Sequence, residues 1–196
     1  MLWDPSDEYV QAHYAVAELI QEPIPVEDAA AELPEQSGLY VWYADYALIE
    51  HKPRLPREDH WHLLYVGIAP ARPTSKATLH SRIVRQHLGG NVGSSTFRLS
   101  LAALLWEKEG WQPKGTGMRV QLDKQHNEEL SQWQREHLAL RWTEHPAPRS
   151  IEHFVIQGMC PPLNVEASLP SEALDQITAA RKRFRATAEP GTPSTG

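Results

Sequence analysis

The sequence predicts an α+β fold: three short strands, the first two forming an antiparallel pair, set among helices and extended by a helix at each end. Three observations lead there. The 196 residues suffice for one domain with a proper core plus extensions, and are too few for two large domains. Two runs rich in aromatic and β-branched residues, 38–43 and 62–68, follow one another, and 138–142 alternates as a third strand. The remaining periodic stretches carry the three-to-four-residue apolar spacing of helices.

Taken in order, residues 5–21 read as a helix that Asp4 or Ser6 can cap, with Val10, Tyr14, Val16, Ala17 and Ile20 as an imperfect apolar stripe. Residues 22–35, punctuated by Pro23, Pro25 and Pro34, are expected to break regular structure. The first strand then begins at Gly38. A polar, proline-rich segment over 45–60 separates it from the second, so the pair is most simply antiparallel with that segment as an insertion. Residues 70–73 turn the chain. A helix over 76–88 presents Leu79, Ile83 and Gln86 on one face and ends at Gly89 and Gly90. Ser94, Ser95 or Thr96 starts the next helix, which runs through Leu99, Leu101, Ala102, Leu104 and Leu105. Residues 108–117 read as loop, 127–136 as helix and 150–157 as another. Residues 161–164 are extended, since Pro161 and Pro162 cannot continue a helix. A last helix over 171–186 ends in Arg181, Lys182, Arg183 and Arg185, and the Pro/Gly/Ser/Thr-rich residues 188–196 are expected to be disordered.

Composition excludes several classes. No apolar run reaches the ~18 residues of a membrane span. The first residues lack the basic start and apolar core of a secretory signal, so a cytoplasmic protein is expected. Cys160 is the single cysteine, which rules out an intramolecular disulfide. His60 and His62 lack the partner spacing of a zinc site.

The formal net charge of -6 hides an asymmetry. Residues 1–60 hold thirteen Asp or Glu against Lys52, Arg54 and Arg57, so the remaining 136 residues sum to +4. Between Ile68 and Trp106 no acidic residue occurs, while Arg72, Lys76, Arg82, Arg85 and Arg98 all fall there. A strip without negative side chains suits a polyanion, because Lys and Arg bind phosphates by displacing counterions.

Two tripeptides carry a sharper signal. Gly38, Leu39 and Tyr40 in the first strand, and Tyr65, Val66 and Gly67 in the second, resemble the pair that gives the GIY-YIG nucleases their name. Leu79 followed by Arg82 resembles that family's helix-borne arginine. Glu152 followed twelve residues later by Asn164, after Pro161 and Pro162, resembles its helix glutamate and later asparagine. The resemblance covers about residues 37–165. It implies a small three-stranded antiparallel sheet flanked by helices, in agreement with the strands and helices read above. The chain then divides into an N-terminal helix and acidic linker (1–36), a nuclease domain (37–168) with insertions near 45–60 and 107–135, and a basic C-terminal helix and tail (169–196).

What the family resemblance implies for chemistry is a divalent-metal-dependent endonuclease that hydrolyses DNA phosphodiester bonds, with Tyr40, Tyr65, Arg82 and Glu152 as its working set. Glu152 is implied as the single protein ligand of Mg²⁺ or Mn²⁺, which commonly binds through one or two carboxylates with waters and phosphates completing the shell. Arg82 offers a planar, permanent charge to a phosphate. Tyr40 is implied as general base, with Tyr65 orienting water or phosphate beside it. A phenol of ordinary pKa ~10 needs a nearby cation for that role. Gly67 is expected to allow a close backbone approach, and Asn164 to act as a tether. Lys76, Arg85 and Arg98 are the expected nucleic-acid contacts.

One departure stands out. Many members of the family place a histidine or tyrosine four residues after the arginine; here that position is Gln86, and His87 follows one later. Ile68 also stands where some members carry lysine. Two alternatives to DNA cleavage remain open in the sequence: the same site acting on RNA, and a catalytically inactive module that binds nucleic acid or protein.

Overall fold

The computed structural model describes Asp4 and residues 7–49, 59–115, 120–165 and 171–188. Most of the insertion after the first strand, at 50–58, and the C-terminal residues 189–196 lie outside the described residues.

The α+β expectation holds, with one strand more than predicted. The central sheet runs β1 (Ile24–Pro25), β6 (Leu138–Glu144), β2 (Gly38–Ala44), β3 (His62–Ala69), and every neighbouring pair is antiparallel. Three strands are full length; β1 adds two residues to the outer edge of β6. A separate two-stranded ribbon, β4 (Pro113–Lys114) with β5 (Gln121–Leu122), lies in the second predicted insertion.

Residues 22–35 do not break regular structure as expected. They form β1 and then α2 (Val26–Glu32). Pro25 fits both, because an edge strand and the position before a helix each tolerate a residue without an N–H.

All seven residues of β2 are buried, so the sheet is covered on both faces and its central strand reads as a continuous apolar run. Leu39, Val41 and Tyr43 point to one layer, made by α1 (Glu8–Leu19) and α5 (Pro148–Met159). The Tyr43 hydroxyl donates to the Leu19 carbonyl at 3.0 Å and ties the end of α1 to the sheet. Asp7, not Asp4, caps α1, accepting from the Tyr9 N–H at 2.8 Å.

Tyr40, Trp42 and Ala44 point to the other layer. It holds a short π-helix (Ser81–Leu88), α3 (Thr96–Glu109), α4 (Lys124–His137) and α6 (Glu172–Thr187). Ser95 caps α3, and Gly110 ends it in the left-handed region at φ 72° that glycine adopts without strain. The β3 edge is not left bare. The Leu163 N–H donates to the Leu64 carbonyl at 3.0 Å, at the bulge in the β2–β3 register, and Asn164 continues the contact.

Candidate active site

The two tripeptides meet because β2 and β3 are in register: Tyr40 pairs with Gly67, and Gly38 with Ala69. The Tyr40 ring lies across Gly67. A Cβ added at Gly67 would sit 2.4 Å from both Cζ and the hydroxyl oxygen of Tyr40, so any larger residue would displace the ring. Gly38 is constrained from the neighbouring strand and a helix: its Cβ would lie 2.2 Å from the Thr143 carbonyl oxygen and 2.9 Å from a Leu79 methyl. The glycines of both tripeptides are therefore space requirements.

Tyr40 is fully buried, and a buried hydroxyl without a partner costs on the order of 1–3 kcal/mol. Its partner is His87, whose Nε2 lies 2.6 Å from the Tyr40 oxygen. The other ring nitrogen of His87, Nδ1, lies 2.9 Å from Oγ of Ser95. The rings of Tyr40, Trp42, Tyr65 and Phe97 surround the imidazole with centroids 5.5 to 6.3 Å away. Burial pushes the His87 pKa well below the usual histidine range, and the Arg82 and Arg98 charges push the same way. His87 is therefore a neutral imidazole.

The π-helix explains how His87 reaches this position although it lies one residue beyond the expected one. The Gly89 N–H donates to the Val84 carbonyl, five residues back, at 2.9 Å. Such winding takes more than four residues per turn, so residues four and five apart both lie near one face, and π turns recur at functional sites. Arg82 and His87 are five apart. Gln86, at the expected position, serves Arg82 instead, its Oε1 accepting from the guanidinium.

Arg82, Glu152 and Tyr65 complete one electrostatic cluster. Burial raises the Tyr40 pKa far above the ordinary phenol value, and the neighbouring Tyr65 adds to this, while Arg82 opposes it. Tyr65 is raised by burial too, with Arg82 and a hydrogen bond to the Thr96 hydroxyl pulling it back. Glu152 is half-buried on α5; burial raises its pKa, and Arg149 and then Arg82 counter that. Among the described residues the buried Nε of Arg82 has no hydrogen-bond partner. A guanidinium is donor-only, so this group retains capacity for an anionic acceptor.

Among the described residues no group of three or more His, Cys, Asp or Glu could cage a metal. Glu152, a single half-buried carboxylate with Arg82 acting on it, suits a hard cation such as Mg²⁺ or Mn²⁺ that keeps most of its shell as water and phosphate oxygens. It does not suit zinc, which wants several nitrogen or sulfur ligands.

Asn164 is buried and spends its amide on the backbone of β3: Oδ1 accepts from the Val66 N–H at 2.9 Å and Nδ2 donates to the Val66 carbonyl at 2.8 Å. It fixes the chain leaving α5 to the strand that bears Tyr65. Lys76 and Arg85 are exposed.

Arg98 corrects the sequence reading, which took it for a nucleic-acid contact. It is fully buried. Its guanidinium donates to the carbonyls of His87, Leu88 and Asn127, to Ser131 Oγ, and to the side-chain oxygens of Gln134 and Asn127. Burial, with a smaller contribution from Arg135, pushes its pKa down to about 10, so it stays charged at neutral pH. Arg181, at the basic end of α6, is likewise turned inward, onto the Thr96 carbonyl and Ser100 Oγ. An acid-free stretch of sequence does not distinguish a cation aimed at solvent from one aimed at carbonyls.

Ser95, Thr96 and Arg149 belong to the cluster and were not singled out from sequence. Ser95 and Thr96 were legible only as helix starters, and Arg149 carried one weak signal, its place three residues before Glu152. No curated protein and no solved structure matches the chain. The family model of the GIY-YIG catalytic domain matches residues 38–183, from the first glycine of β2 into α6. With that match across most of its length, and with the paired tripeptides in register on adjacent strands, the chain belongs to the GIY-YIG catalytic domain family.

Proposed function

We propose that this protein is a divalent-metal-dependent endonuclease that hydrolyses phosphodiester bonds in DNA, with Tyr40, Tyr65, Arg82 and Glu152 as its working residues. The observation that carries the reading is the cluster itself: two phenols, one guanidinium with an unspent donor and one carboxylate, each acting electrostatically on others of the set. A partly buried arginine of that kind is suited to bind a phosphate and to compensate charge that grows on it during the reaction.

Glu152 would hold a divalent cation, which supplies charge compensation at the phosphate and at the leaving oxygen. The chain's own groups handle the proton. The attacking water gives its proton to the Tyr40 oxygen as the Tyr40 hydroxyl proton passes to Nε2 of His87, 2.6 Å away. His87 is neutral beforehand and so able to accept, although Arg82 and Arg98 make it a weak base. A phosphate bound at Arg82 offsets part of that positive field and raises the basicity of His87 as substrate arrives. Tyr65, held by Thr96, orients the water or a phosphate oxygen. Exposed Lys76, Arg85 and Arg149 border the cluster in sequence and supply sequence-independent phosphate contacts.

A second reading, a module that binds nucleic acid without cleaving it, draws on one observation: burial holds both phenols firmly protonated. Cleavage of supercoiled plasmid DNA in Mg²⁺ or Mn²⁺ by wild type and Glu152→Gln separates the two. Metal-dependent nicking that Glu152→Gln lacks supports the enzyme. Retained DNA binding with no turnover on plasmid, single-stranded DNA or RNA supports the module.

A further inference from the structure

The proton path just described needs His87 in one tautomer, and the first turn of α3 is built to select it. Tyr40 is fully buried and carries its proton at neutral pH. A neutral phenol in that position has a proton to donate, and its hydrogen-bond partner at 2.6 Å is Nε2 of His87. Arg82, which also hydrogen-bonds the Tyr40 oxygen, is donor-only and cannot take the proton. Nε2 is the acceptor within reach of that proton, which favours it as the unprotonated nitrogen. Because the imidazole is neutral, its single proton sits on Nδ1, which faces Ser95 Oγ at 2.9 Å.

We propose that Ser95 is a positioning residue that fixes His87 as the Nδ1–H tautomer, by accepting from Nδ1–H, so that Nε2 is held bare toward the Tyr40 hydroxyl. Ser95 Oγ accepts as well from the Arg98 N–H at 3.2 Å, as the cap of α3, and is therefore oriented by the helix and not free to rotate away. The same helix turn grips the main chain of His87: the Arg98 guanidinium donates to the His87 carbonyl at 2.9 Å and to that of Leu88 at 2.8 Å. Ring and backbone of His87 are thus held from one element, through residues three apart on α3. The groups facing the ring are Tyr40 from β2, Tyr65 from β3, Arg98 from α3 and Arg82 from its own helix. A hydroxyl fills the place beside Nδ1 that a carboxylate often takes. A neutral hydroxyl accepting from Nδ1–H supports that tautomer without making the imidazole cationic in advance.

The consequence for catalysis rests on the nuclease reading, but the tautomer does not, so the test reads the tautomer directly. In full-length protein with nitrogen-15-labelled histidine, the His87 signals are assigned as those missing from His87→Gln. Wild type is expected to show Nδ1 protonated and Nε2 bare. Ser95→Thr keeps the hydroxyl and keeps that pattern. Ser95→Gly, which retains a competent helix cap while removing the hydroxyl, is expected to lose the preference and give averaged or reversed shifts. In cleavage it is expected to lower kcat by on the order of tenfold with KM unchanged. Protonated Nε2 in wild type, or an unaltered pattern in folded Ser95→Gly, overturns the assignment. A wild type that shows the expected tautomer and cleaves no nucleic acid leaves the role of Ser95 standing and removes the nuclease reading.

Discussion

Arg82 and Arg98 come from the same acid-free stretch and look alike in the sequence, yet the fold treats them oppositely. Arg98 sits under the sheet with both terminal nitrogens engaged by carbonyl, hydroxyl and amide oxygens. Arg82 instead stands among two phenols and a carboxylate, hydrogen-bonded to Gln86 and Tyr40, while the buried Nε of each arginine has no partner among the described residues. A cation is structural when the fold supplies its acceptors, and available to a ligand when the fold withholds them.

Breaking each arginine should therefore give different losses. Arg82→Ala is expected to cost about 10²- to 10³-fold in cleavage rate, the usual effect of removing one preorganised donor to developing charge. Its midpoint of denaturation should change little. Arg82→Lys should not restore activity, since a point charge does not reproduce the planar fork. A cleavage rate in Arg82→Ala within a factor of a few of wild type contradicts the assignment.

Arg98→Met is the reverse case. It strips several buried oxygens of their donor at once, and destabilisation of about 3 kcal/mol is expected, read from urea denaturation. The molecules that remain folded should bind nucleic acid with wild-type affinity. Wild-type stability in Arg98→Met would show that the buried network contributes nothing.

The two arginines act alike on one group, His87, and pH exposes this. The folded-state pKa of His87 is depressed, so its contribution to stability is intact above its unfolded pKa of about 6.5. Below that, the unfolded chain takes up a proton that folded His87 refuses. Stability should fall by up to about 1.4 kcal/mol per pH unit from this group. Urea denaturation at pH 7.5 and 5.0 should show a smaller drop in His87→Gln than in wild type, and equal drops would remove the buried neutral imidazole from the account.

The smallest effect is the sharpest discriminator. In DNA binding, each phosphate contact contributes about 0.9 to the slope of log affinity against log salt. Arg85→Ala and Lys76→Ala should each flatten that slope by roughly that amount, whereas Arg98→Met should leave it unchanged. Equal slopes for all three variants would place the nucleic acid elsewhere on the surface.

Much of this was legible before the fold was known. The aromatic and β-branched runs marked β2, β3 and β6, and two tripeptides, an arginine and a glutamate–asparagine pair identified the residues that meet at their edge. The π-helix was not legible, because apolar spacing reports three-to-four-residue winding and cannot show that Gly89 bonds back to Val84. His87 consequently looked one residue out of place. The burial of Arg98 was hidden for a different reason: its acceptors come from α4, far along the chain, and from backbone carbonyls that carry no sequence signal. Prolines concealed β1 and α2 by sitting at the positions where a missing N–H does no harm.

The most direct test of the central claim is single-turnover cleavage of plasmid DNA in Mg²⁺ by wild type and Tyr40→Phe. The substitution removes one oxygen and keeps the ring that packs across Gly67. Metal-dependent nicking by wild type, with Tyr40→Phe folded and slower by about 10² or more, is the predicted result. Equal rates from the two proteins would contradict it.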